Sequence, residues 1–485
     1  MRSAAATRNS EPTRTATCRP HPSGIYNRGD VIGPALSSPS GFPPGPHGYP
    51  ILGVLPHLRS DPIRTFLDAA DRYGDIVHLK AGPYHGFLLS DPADIKHVLQ
   101  DNARNYHKSP LYERLRDGLG NGLLTSEDSF WLRQRRLAQP AFHRERLMTM
   151  ADAMVACTEQ MLERWDRTAS LGETIDVVGE MMALTQAIIV RTMFSTDLGA
   201  MAGVVNRTWP IINRRIGETF WSTKLETTLP LPANRRFWRA LRELETVVYR
   251  IIADRRETRR EETDLLSMLL SARDEETGAG MTDRQLRDEV VTMLLAGHET
   301  TSLALSWTYY LLSQYPDVER SIADEVGRVV GGGRPSFAHL DRLTCTRRAI
   351  EESLRLYPPA WGFSRQAIGD DEIGGYRIPR GSLAFLIPFV VHRRPKLWPN
   401  PDRFDPDRFA PEHESARPRF AYIPFGGGPR GCIGNQFAMV EAQLIVAAIA
   451  QRYRLELVPD QDIRPEPLIT LRPAPGIRAS LKKRA

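Results

Sequence analysis

The chain has 485 residues, 41% of them hydrophobic, enough to bury a large core as one big domain or as two to three smaller ones. Of its residues 25% are charged and no run of eighteen or more is apolar, so a membrane-spanning anchor is not expected. The net charge of +6 is modest for this length and contains no lysine-rich block or basic stripe interleaved with aromatics, which sets nucleic-acid binding aside.

Residues 1–40 are rich in Ser, Thr, Arg, Pro and Gly, with Glu11 and Asp30 as the only acids. They read as a disordered tail; a transit peptide has the same composition, so a mitochondrial location stands as the alternative to a cytoplasmic one. The stretch from Gly41 to Gly53 carries prolines that fix φ and remove donors, and it reads as a stiff extended lead-in. Helical periodicity then dominates, over 146–166, 236–257, 282–315 and 435–453. Short apolar runs bounded by Gly, Pro or Asp, at 76–80, 86–90, 376–379 and 383–388, read as strands. With no internal repeat and no second composition regime, the expectation is one domain over 41–485, mainly α with small β-sheets.

The four cysteines, Cys18, Cys157, Cys345 and Cys432, are far apart and none lies in a CxxC pair, which fits a reducing compartment. Cys157 and Cys345 read as small buried hydrophobes. Cys432 sits in Phe425-Gly-Gly-Gly-Pro-Arg-Gly-Cys-Ile-Gly434, a loop that lets backbone approach a ligand closely and leads into an apolar helix. The N-terminus of that helix is expected to favour a thiolate, the form a metal-ligating cysteine needs. Gly426-x-Gly428-x-x-Gly431 matches a dinucleotide fingerprint formally, yet no apolar strand or βαβ unit surrounds it, and a P-loop would need Lys and Ser/Thr after the last glycine. A plain turn with a chance cysteine remains the third reading.

The segment from Thr282 opens with a capping box to Gln285 and runs to Pro316, roughly 45–50 Å of helix at 1.5 Å per residue. Its middle, Val290 to Trp307, leaves no polar face, so it is expected to cross the core with Glu299 and Thr300 as polar groups in an apolar place. His298-Glu299 suggests the zinc motif HExxH, but Ser302 stands where the second histidine would be. For Glu299 and Thr300 the alternative is local backbone hydrogen bonding. Glu352 and Arg355 form an i,i+3 pair before Pro358 and Pro359, and Trp131 and Arg135 share a helix face.

Phe425, Gly428, Cys432 and Gly434 stand at the spacing FxxGxxxCxG, which resembles the haem-binding loop of the cytochromes P-450. The resemblance extends over about 41–485 through Ala296-Gly-His-Glu-Thr-Thr301, Glu352-Ser-Leu-Arg355, Pro406-Asp-Arg-Phe409 and Trp131-x-x-x-Arg135. It implies haem b, with Cys432 as axial iron ligand and Arg430, Trp131, Arg135 and Arg365 holding its propionates. It implies a long helix crossing the haem, with Glu299 and Thr300 delivering protons on the oxygen-binding face, and a structural network of Glu352, Arg355 and Arg408. Asp407 stands where the family often has glutamate.

The implied activity is insertion of one atom of O2 into a lipophilic small molecule by hydroxylation or epoxidation, a terpenoid or polyketide-like secondary metabolite being favoured over a fatty acid. Electrons would come from NAD(P)H through a separate ferredoxin or flavodoxin and reductase, because the stretch after Cys432 is too short for a flavin or iron–sulfur domain. The arginines at 133, 135, 136, 144 and 146 suggest a basic docking face for that carrier. An isomerase or dehydratase using haem without O2, and a haem binder without catalysis, are the readings from other classes; the Glu299–Thr300 pair argues against both.

Overall fold

The computed structural model describes residues 41–195, 199–222, 224–258, 264–274 and 278–484; the expected tail over 1–40, with Cys18, lies outside them. Eight helices carry the argument: α1 (Asp128–Ala138), α2 (Arg144–Ser170), α3 (Val177–Phe194), α4 (Gly199–Thr219), α5 (Pro232–Thr258), α6 (Asp283–Gln314), α7 (Thr344–Leu356) and α8 (Asn435–Arg452). Helix α6 runs for 32 residues from the expected capping box, in which Gln285 N–H and Thr282 N–H each meet the other's side chain. It is buried along most of its length, packed against α3, α7 and α8. Helix α3 is long and apolar enough to cross a membrane, but 61% of it is buried within the protein.

Five strands form the main sheet: β1 (Ile76–Ala81), β2 (Tyr84–Leu89), β3 (Tyr106–Lys108), β4 (Phe363–Ala367) and β5 (Leu383–Leu386). Their order is β1-β2-β5-β4-β3, with β2 and β5 parallel and the other pairs antiparallel. Smaller sheets pair Asp371–Ile373 with Tyr376–Ile378, Arg464–Pro467 with Leu471–Ala474, and Arg478–Lys483 with both Tyr453–Leu457 and Thr174–Asp176. The lead-in is tied to the sheet: Pro44 O accepts His78 N–H at 3.0 Å, and Gly53 bridges to Ala81. Most helices and the sheet share one core, so the described chain from 41 onward is mainly α with small sheets, as its periodicity indicates.

Candidate active site

The loop before α8 is shaped by its own backbone. Cys432 N–H donates to Phe425 O at 2.9 Å and Gly431 N–H to Gly428 O at 3.1 Å, which closes the turn around Pro429 and Arg430. Gly428 has φ +64° and a Cβ on it would stand 1.8 Å from Leu99 O, so no other residue fits. Gly434 is different: its φ is −92° and an added Cβ would make only ordinary contact with Phe142.

Cys432 keeps an open surface, although protein atoms crowd it closely. That crowding dominates its acid–base chemistry: burial pushes the thiol up from its ordinary value, while Gly434 N–H and Arg135 pull it down. The helix N-terminus pulls toward the thiolate as expected, through Gly434 N–H, and desolvation of the anion opposes it in the protein alone. A bound cation would add to the pull toward the thiolate.

Around this loop the chain gathers positive charge. Arg430 ion-pairs with Glu127 and lies 4.6 Å above the Trp131 ring, while its Nη1 is buried without a partner. Arg135 donates to Gly431 O at 2.8 Å. Arg365 is buried on β4 and meets Ser364 O at 3.0 Å. Lys108, on neighbouring β3, donates to Ser126 O at 2.6 Å and Leu123 O at 3.2 Å. Burial pushes Lys108 down to about 7; Glu127 opposes this and Arg430, Arg365 and Arg116 add to it. Four buried or half-buried cations with one carboxylate among them, and an orphaned guanidinium nitrogen, suit an anionic ligand, as the two carboxylates of haem would be. Lys108 and Glu127 were not singled out from sequence, since neither belongs to a recognisable spacing.

Helix α6 is buried on all sides in its middle except at Ala296, which is exposed, and at Gly297 and Thr300, which are half-exposed. The Thr300 hydroxyl donates to Ala296 O at 2.5 Å, the local bond weighed above. Glu299, one residue and about 100° further round the helix, points into a buried polar cluster instead. Its carboxylate accepts from Trp209 Nε1 at 2.6 Å, Thr470 Oγ1 at 2.8 Å, and Arg472 at 2.6 and 3.0 Å, and from Asn213. The acid and the alcohol are sequence neighbours directed at different surroundings. No sequence signal pointed to Arg472, whose pairing spans 173 positions.

The network on α7 comes together as the sequence reading drew it. Arg355 meets both oxygens of Glu352 at 2.7 and 2.8 Å with neither residue exposed, and Arg408 Nε lies 3.4 Å from Glu352. His392 joins this network to the cysteine loop: its Nδ1 pairs with Arg355 O at 3.1 Å, and its Nε2 accepts Ile423 N–H at 2.9 Å. Of the arginines suggested as a docking face, Arg133 and Arg136 pair with Asp274, Arg144 pairs with Asp341, and Arg135 faces the loop. Three of those five arginines thus have a carboxylate partner within the chain.

An apolar pocket opens nearby, lined by Leu111, Leu115, Phe220, Trp221, Trp361 and Phe363 with Phe66, Phe385 and Leu468. Its lining is drawn from residues far apart in sequence, from Phe66 through Leu111 and Trp221 to Phe385 and Leu468.

A family model described as Cytochrome P450 matches residues 43–479. Cyclooctatin synthase of Streptomyces melanosporofaciens is 41% identical over 434 residues, covering 89% of this chain and 93% of that protein. Pentalenene oxygenase of Streptomyces avermitilis is 35% identical, covering 88% and 94%. Among solved structures, the cytochrome P450DA heme domain is similar at a TM-score of 0.83 and 28% identity, covering 92% of this chain and 98% of that one.

Proposed function

Because the chain belongs to the cytochrome P450 family and is a haem-dependent monooxygenase, we propose that its substrate is a lipophilic, terpenoid-type secondary metabolite oxidised by hydroxylation or epoxidation. The observation that carries this is the pocket lining, aromatic and aliphatic, with Tyr112 and Ser364 as its hydroxyls and no charged side chain. A fatty acid would bring a carboxylate for which that lining offers no cation. The names cyclooctatin synthase and pentalenene oxygenase support the same reading.

In this reading Cys432 would ligate the haem iron through its sulfur, and Arg430, Arg365, Arg135 and Trp131, joined by Lys108, would hold the propionates. Bound haem would supply the redox chemistry that activates O2. Phe425, Gly428 and Gly434 shape the loop. Thr300, at the open face of α6, holds a hydroxyl proton where oxygen chemistry would need one, and Glu299 acts from behind it with its charge held by Arg472. Glu352, Arg355 and Arg408 keep the cysteine loop in place. Electrons come from NAD(P)H through a separate ferredoxin or flavodoxin and its reductase.

The reduced protein with carbon monoxide should give a strongly red-shifted Soret band that Cys432→Ser abolishes; a histidine-like band in the parent would overturn thiolate ligation. Spectral titration with cyclic olefins against fatty acids tests the substrate class, and tighter binding of the acids would sink it. Consumption of O2 and NADPH with added carriers separates this activity from isomerisation.

A further inference from the structure

About two turns of α6 upstream of the open face at Ala296 stand Arg287, Asp288 and Glu289, all buried. These residues meet the segment 120–126, which lies between the helix Tyr112–Leu119 and α1. Asp288 Oδ2 accepts Asn121 N–H at 2.8 Å, and Glu289 Oε2 accepts Leu123 N–H at 3.1 Å. Glu289 Oε1 accepts from Gln134 Nε2 at 2.9 Å, and Gln134 sits on α1 between Trp131 and Arg135. From the other side Lys108 donates to Leu123 O and Ser126 O. Leu123 is thus gripped at both peptide groups by opposite charges.

The closeness of this approach is built into the chain. A Cβ on Gly120 would stand 2.0 Å from Asp288 Oδ1, and one on Gly122 would stand 2.4 Å from Thr292 Oγ1 and 2.7 Å from Asp288 O. Two glycines are therefore required where the segment lies on the helix.

We propose that Glu289 is a positioning residue for the haem site: by holding Leu123 and Gln134 together it fixes segment 120–126 and the setting of α1, and with it the direction in which Trp131 and Arg135 are presented. Lys108 closes the same clamp from the propionate side. The proposal rests on haem occupying the site, which the carbon monoxide spectrum tests separately.

The carboxyl also gives the clamp a pH dependence. Burial, with Asp288 adding, pushes Glu289 up to about 7 against the pull of Leu123 N–H, Gln134 and Lys108. A carboxyl whose pKa is higher with the segment closed than with it open binds more protons when closed, so its contribution is full below the ordinary carboxylate range and is lost as pH rises through about 7. The grip on 120–126 therefore tightens on acidification.

Amide hydrogen exchange of the holoenzyme, corrected for intrinsic rates, tests this over roughly two pH units either side of neutrality. Protection of 120–126 should rise as pH falls through about 7. Glu289→Gln, which cannot titrate, should flatten that dependence, and Glu289→Ala, which removes both hydrogen bonds, should lower protection on the order of tenfold. Haem should transfer to excess apomyoglobin several-fold faster from Glu289→Ala. Gln134→Ala, which removes the α1 arm alone, should loosen α1 and leave 120–126 protected. Unchanged protection of 120–126 in Glu289→Ala, a pH dependence that survives in Glu289→Gln, or a loss spread evenly over the whole chain, would overturn the proposal.

Discussion

A Cβ on Gly428 would stand 1.8 Å from Leu99 O, and its φ of +64° strains any side chain placed there. Gly428→Ala should therefore destabilise the protein by more than about 2 kcal/mol, whereas Gly434→Ala, at φ −92°, should change stability by less than about 1 kcal/mol. Thermal denaturation of the two variants decides it, and equal losses would mean that the loop is less tightly built than described. The spacing FxxGxxxCxG marked both glycines alike; only the coordinates distinguish them. Glu299 makes a second case. Trp209, Asn213, Thr470 and Arg472 converge on its carboxylate, so Glu299→Gln should reduce stability by about 1.5–3 kcal/mol through weakened charged hydrogen bonds. A variant as stable as the parent but slower in turnover would show that the acid serves proton delivery and not the cluster.

At the scale of elements, α7 is fastened to the cysteine loop through buried charge. Arg355 is wholly buried against Glu352 and also donates to His392 O at 2.7 Å. Arg355→Met should cost about 3–5 kcal/mol, because Glu352 would keep a buried charge without its main partner; a chevron or denaturant titration showing under about 1 kcal/mol would count against a structural role. The long helices were legible in their hydrophobic period, and α6 begins at the capping box read from Thr282 and Gln285. Helix α4 was not read as such, since Pro210 lies inside it and a proline ordinarily marks a helix end. Its packing against α5 keeps the helix going.

The whole molecule holds several histidines neutral. Burial keeps His298 below its ordinary value and His392 well below it, the latter helped by Arg355, and His78 is pushed down to about 4 by burial and by His85. A depressed histidine binds fewer protons folded than unfolded, so its contribution is present above about pH 6.5 and is lost as pH falls below that value. His392→Asn should therefore keep more of its Tm than the parent as pH falls below about 6.5; an equal change in both would assign the acid response to other groups. By itself the sequence determined the class of fold, the long helices and the cysteine loop, because hydrophobic period, caps and a glycine-rich spacing are local and survive in one dimension. Lys108, Glu127, His392 and Arg472 were decided only by tertiary structure. Each acts through a partner brought close by packing, and a lone charged residue in a sequence carries no mark of whether its neighbour in space is water, a carboxylate or a peptide group.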